Sequence, residues 1–240
     1  MTPGFQDIIA AAEADRRDLF LSTSMRLGTP IQNVEKDFWV CWVLDLLFNG
    51  AGDNEPRLLF KGGTSLSKSH GLISRFSEDI DITVFREDLG QAVDVEDLEG
   101  LSGKKQRAHL NAIKEACQRY ITSTLKTRLT ASIASAFERA GLPVNPSAVT
   151  LDSDDPDQQT LLIAYPAVSA QPGDYNPPTV KIEADVFGKP GDQAMALREG
   201  RAALEQQPGL ISTSSVEQQV QRPAHPEVFL YILNGRTQSH

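Results

Sequence analysis

Apolar positions recur with two different spacings along this chain, and the change from one to the other marks its parts. From Phe5 to about Leu27, Ile8, Ile9, Ala12, Leu19 and Phe20 fall on one helical face. Thr29-Pro30 predicts a helix start, with Thr capping and Pro at the first helical position. The helix it opens, Pro30 to Phe48, is apolar nearly all round, through Phe38, Trp39, Val40, Trp42, Val43, Leu44, Leu46 and Leu47. Such a helix is a buried one, Trp39 and Trp42 are core residues, and Asn49-Gly50 ends it.

The spacing then shortens to the twofold alternation of strands. Leu58 to Lys61 predicts a short strand, Gly62-Gly63 a turn, and Thr64 to His70 a helical turn facing that loop. Glu78 to Phe85 is the next strand. An acidic, Gly-bounded surface excursion covers Asp88 to Gly103. Lys104 to Ala140 is a long helix with Leu110, Ile113, Cys117, Tyr120, Ile121, Leu125, Ile133 and Phe137 toward the core. Its other side holds Lys104, Lys105, Arg107, His109, Lys114, Arg119, Lys126 and Arg128. Val149 to Leu151 and Thr160 to Tyr165 predict a hairpin around the acidic turn Asp152 to Asp157. Pro177 to Val186 alternates Val180, Ile182, Ala184 and Val186 against Lys181, Glu183 and Asp185, a half-buried strand with one charged face. Gln193 to Gln206 reads as a short helix, and beyond Gly209 the pattern weakens. No internal repeat is visible.

The chemistry sits where the first two strands meet. Residues two apart in a strand share a face, so Asp79 and Asp81 project together while Ile80 and Ile82 enter the core. Adjacent carboxylates repel unless a cation lies between them. Hard divalent cations such as Mg²⁺ take oxygen ligands and keep substrate phosphates in their shell. The Gly62-Gly63 turn brings bare backbone N–H groups toward a phosphate, and Thr64 and Ser65 add hydroxyls at the following helix start. Lys61 and Lys68 flank the turn and are placed to neutralise phosphate charge. Arg75 either does the same or pairs with Glu78 or Asp79. For Ser67 and Ser69, phosphate contact and simple capping stand side by side. Together these parts are the minimal apparatus of metal-assisted nucleotidyl transfer. A third acid from a neighbouring strand is expected, and Glu183 and Asp185 both offer it, against the plainer reading of a solvent-facing strand with ion pairs.

With 240 residues, 40% of them hydrophobic, the chain is long enough for one large or two small domains with a real core. Its formal net charge of −9 argues against a protein that coats nucleic acid non-specifically. The basic side of the Lys104 helix remains open between an RNA contact and solvated surface. Cys41 and Cys117 stand far apart without metal-ligand spacing, which predicts buried thiols in a cytoplasmic protein. The N-terminus lacks a signal-peptide pattern, and no apolar run nears the ~20 residues that span a bilayer. The histidines show no ligand spacing.

The runs FKGGTSLSK and RFSEDIDITV resemble the nucleotidyltransferase AbiEii/AbiGii toxin family, a branch of the polymerase-β-like nucleotidyltransferases. The helix EKDFWVCWVLDLLF resembles the one preceding the family's glycine motif, and the likeness covers roughly Pro30 to Phe187. The resemblance implies an α+β fold, a polymerase-β-like core of mixed sheet flanked by helices. It implies N-terminal helices over 1–55, a core over 56–190 carrying the 104–140 helix, and a short remnant over 191–240. Asp79 and Asp81 match the metal-binding pair, with Mg²⁺ or Mn²⁺ as cofactor. Gly62, Gly63 and Ser65 match the family's phosphate-binding motif, with Thr64 and Lys68 read beside them as further nucleotide contacts. Glu183 in PTVKIEADVF matches the later acidic position. Family members transfer a nucleotide from an NTP to an acceptor, a tRNA 3′ end for some, and many are toxins with a cognate antitoxin. The family pattern continues into a C-terminal helical part with a lysine-and-aspartate motif. No such helix follows Val220, so that part is expected to be shortened. The rival expectation is a catalytically degenerate member that docks an antitoxin or nucleic acid.

Overall fold

The computed structural model describes residues 3–52, 54–62, 79–93, 97–98, 100–170 and 178–186. The first helical region is two helices, α1 (Pro3–Ala10) and α2 (Glu13–Leu27), where periodicity predicts one. Arg16 accounts for the break. Its side chain is buried, and its Nη1 donates to the carbonyl of Ile9 at 2.8 Å and of Ala11 at 3.4 Å. The last carbonyls of α1, which a helix end leaves without partners, thereby find a cation. Helix α2 stops at Gly28, whose φ of +64° is the left-handed C-cap glycine favours.

Helix α3 (Ile31–Asn49) is buried from Val34 to Leu47 except at Lys36. Pro30, expected inside the helix, holds the N-cap position instead, and no side chain caps the helix there. The Thr29 carbonyl accepts from the Ser24 hydroxyl at 2.6 Å. Trp39 and Trp42 are fully buried, as expected. Trp39 stacks on Tyr165 with ring centroids 5.3 Å apart, and Trp42 on Phe137 at 5.7 Å.

The sheet contains β1 (Leu58–Lys61), β2 (Asp79–Val84), β3 (Val149–Leu151), β4 (Thr160–Ala164) and β5 (Thr179–Val186), in the spatial order β1-β2-β5-β4-β3. It is mixed. β2 and β5 run parallel, and the other neighbours are antiparallel. Parallel neighbours need a long crossover, and this one contains a long helical stretch as well as β3 and β4. Helix α4 (Gly103–Arg119) passes through a π-helical segment (Tyr120–Leu125) into α5 (Lys126–Arg139). The expected core positions Ile113, Cys117, Tyr120, Ile121, Leu125, Ile133 and Phe137 are buried, but Leu110 is 39% exposed. The first turns of α4, up to Asn111, carry no buried residue. Arg128, expected on the exposed basic side, instead donates to the Leu46 carbonyl at 2.7 Å and pairs with Glu55 at 2.8 Å.

One face of the sheet forms the core. Ile80, Ile82, Val84, Val180, Ile182, Leu161 and Ile163 all pack there with α3 and the aromatic cluster. Cys41 and Cys117 are free, buried thiols, and burial pushes each up to about 12. Among the described residues no helix is long and apolar enough to cross a membrane. The 193–206 helix and everything after Val186 lie outside the described residues.

Candidate active site

The other face of β2 and β5 carries the charge. Along β2, Ile80, Ile82 and Val84 are buried on the core side, while Asp79 is exposed and Asp81 half-buried on the opposite side with Thr83. The two aspartates thus share a face, as the alternation requires. β5 repeats the pattern, with Lys181, Glu183 and Asp185 alternating against buried Val180, Ile182 and Ala184. Register then fixes the neighbours. Asp79 lies beside Lys181, Asp81 beside Glu183, and Thr83 beside Asp185. From the other side, β1 sets Lys61 opposite Asp81.

The bend after β1 reaches this face. Gly62 has a φ of +74°, and a Cβ there would overlap the Asp81 carboxylate, lying 2.8 Å from its Cγ. Only glycine meets both demands, a left-handed backbone and a carboxylate against the Cα. Gly63, Thr64, Ser65, Ser67, Lys68, Ser69 and Arg75 lie outside the described residues.

Ion pairs occupy the outer acids. Lys61 Nζ pairs with Asp185 Oδ2, and Thr83 Oγ1 donates to Asp185 Oδ1 at 2.7 Å. Lys61 therefore leans away from the glycine bend, contrary to the expectation that it faces phosphate there. Lys181 Nζ lies 2.6 Å from Glu183 Oε1 and 3.8 Å from Asp152 Oδ2. That pairing is the solvated-strand arrangement weighed against a third ligand, and sequence spacing alone could not separate the two.

Electrostatics single out Asp81. Burial raises its carboxyl above the ordinary aspartate range, and Glu183 raises it further. Lys61 opposes this, while Asp79 and Asp185 add to it. The charged form is disfavoured by neighbours of its own sign. Among the described residues no three His, Cys, Asp or Glu side chains converge as a ready metal cage. The donor set still fits a hard divalent cation. It offers carboxylate oxygens only, and such cations bind through one or two carboxylates plus waters and phosphates rather than through an all-protein cage.

Three contributors escaped the pattern. The cross-strand reach of Lys61, the buried Thr83 hydroxyl and the Lys181–Asp152 contact all depend on strand register. The local signal was present, since alternation puts Lys61 and Lys181 on the charged face, but the order of strands in the sheet was not.

Comparison with known proteins identifies one family. The family model described as nucleotidyl transferase AbiEii toxin, type IV TA system, matches residues 45–217, well over half of the chain. The match begins at Asp45, late in α3, so most of the helix that resembles the family's lies outside it, and it runs on beyond Phe187. No curated protein and no solved structure matches the chain.

Proposed function

The chain belongs to the AbiEii nucleotidyl transferase toxin family of type IV toxin–antitoxin systems, and from that premise we propose that its charged sheet face transfers a nucleotide from an NTP to an RNA 3′ hydroxyl, a tRNA end being the acceptor class, under control of a cognate antitoxin. One observation carries the reading: Asp81, which shares its strand face with Asp79, stands directly against a left-handed glycine bend. In this reading Asp79 and Asp81 hold Mg²⁺, with Glu183 next to Asp81 as the third acid. The triphosphate lies along Gly62 and Gly63, with Thr64, Ser65 and Lys68 as further contacts.

When bound, the cation would neutralise triphosphate charge and acidify the acceptor hydroxyl. The chain's own groups do the rest. The glycine bend orients the phosphates through backbone donors. The acceptor oxygen attacks the α-phosphorus, the bond to the β-phosphate breaks, and pyrophosphate leaves. The hydroxyl proton passes to Glu183, which opposes Asp81 on β5.

The test uses each α-labelled NTP with total cellular RNA and Mg²⁺. The wild type labels RNA from one or a few NTPs, and Asp81→Asn does not. Label transfer that survives Asp81→Asn rejects the assignment. A wild type that transfers nothing and shows no calorimetric NTP binding at millimolar concentration is a binding module instead.

A further inference from the structure

Four acidic groups share the charged face, and they are not equivalent. Asp185 commits both oxygens, Oδ2 to Lys61 and Oδ1 to the hydroxyl of fully buried Thr83. Glu183 gives one oxygen, Oε1, to Lys181. Position separates them too. β1 is antiparallel to β2, so the chain leaving Lys61 moves toward the Asp79 end of β2 as it enters the Gly62 bend. Asp185 lies beside Thr83, in the next same-face row away from that bend. Two residues along a strand separate the rows by roughly 6.6 Å. Lys61 starts opposite Asp81 yet ends on Asp185, so its side chain crosses β2 from one neighbouring strand to the other.

We infer that Lys61 is a positioning residue: reaching across β2, it holds Asp185 from one oxygen while Thr83 holds the other, keeps that acid out of the cation site, and leaves Glu183 as the β5 acid beside Asp79 and Asp81. This rests on the reading of the face as a cation and nucleotide site. It adds which β5 acid serves there and what withholds the other. Without the ammonium, Asp185 carries an unbalanced charge next to Asp81 and becomes a rival ligand. The cation then binds more tightly and in the wrong place for a phosphate on the glycine bend.

Mn²⁺ titration of the full chain, followed by electron paramagnetic resonance without nucleotide, separates the roles. NTP transfer is measured in parallel. Glu183→Gln weakens Mn²⁺ about 10-fold or more, whereas near-isosteric Asp185→Asn stays within about 3-fold of wild type. Lys61→Met tightens Mn²⁺ about 10-fold while slowing kcat for transfer by a similar factor, and Lys61→Arg restores both. A structural prop would move both readouts in the unfavourable direction together. The inference is overturned if Asp185→Asn loses Mn²⁺ while Glu183→Gln keeps it, or if Lys61→Met leaves Mn²⁺ affinity and kcat unchanged. A wild type that binds no Mn²⁺ overturns the metal site itself, and with it both readings. Transfer and Mn²⁺ binding intact in the wild type with no effect of Lys61→Met sinks only this one.

Discussion

Two carboxylates in this molecule are withdrawn from water in opposite ways. Glu35, on α3, is 1% exposed. Its oxygens accept from the backbone N–H of Val168 at 2.8 Å, the N–H of Ser169 at 2.9 Å and the Ser169 hydroxyl at 2.5 Å. Asp81, on β2, is half-buried, with Glu183, Asp79 and Asp185 raising its carboxyl and Lys61 alone among the named charges opposing them. A buried acid is tolerable when donors surround it. Glu35 is a completed contact, and it holds the loop after β4 against α3. Among the described residues Asp81 is an incomplete one, and in the proposed reading a bound cation would complete it. The first kind of acid builds the fold, and the second asks for a ligand.

The comparison breaks most visibly at Glu35. Glu35→Ala strands two buried N–H donors and costs about 3 kcal/mol of unfolding free energy, read by urea denaturation. A loss under 1 kcal/mol would mean the loop does not depend on that acid. Gly62→Ala acts on the other side. It imposes a Cβ at a φ of +74° and against the Asp81 carboxylate, so it costs about 1–2 kcal/mol and displaces the carboxylate as well. Its expected signature is a loss of transfer larger than the loss of stability explains. The smallest effect belongs to an acid that is paired but exposed. Arg57 donates to Asp88 from Nε at 2.7 Å, from Nη2 at 3.0 Å and from its backbone N–H at 2.8 Å, which holds Asp88 below its ordinary range. A lowered acid stabilises the fold above its unfolded pKa of about 3.9 and stops doing so as pH falls through the folded value. Because the pair is solvated, Asp88→Asn costs below about 1 kcal/mol at pH 7, and that cost shrinks as pH falls and the carboxyl is protonated.

Much of this was legible in the chain. The alternation around Asp79 and Asp81 predicted their shared face, and the strand bounds Leu58–Lys61 and Val149–Leu151 match the structure. The glycine bend does meet Asp81, at Gly62. Local pattern carries such features because a strand's alternation depends only on which side is buried. What it could not carry is long-range. Glu183 and Asp185 were indistinguishable by spacing, and the parallel pairing of β2 with β5, nearly a hundred residues apart, is what set Glu183 beside Asp81. Arg128 was expected on the exposed basic side of its helix, and Arg16 carried no signal of its own. They are caps for the carbonyls of α1 and α3, a role invisible until the helices are docked. Burial of the helix carrying Glu35 was expected, but the backbone donors of Val168 and Ser169 that satisfy its carboxylate come from a loop more than 130 residues on.

Thermal melting of wild type and Asp81→Asn, each in chelator and in millimolar Mg²⁺, tests the central claim most directly. The raised carboxyl of Asp81 means its charge opposes folding above its folded pKa, and that this opposition is relieved as pH falls through that value. Asp81→Asn should therefore melt about 2 °C above wild type in chelator at pH 7. Mg²⁺ should raise the wild type and leave the variant where it was. Equal Mg²⁺ shifts in both proteins, or a variant that melts below wild type in chelator, would contradict the account.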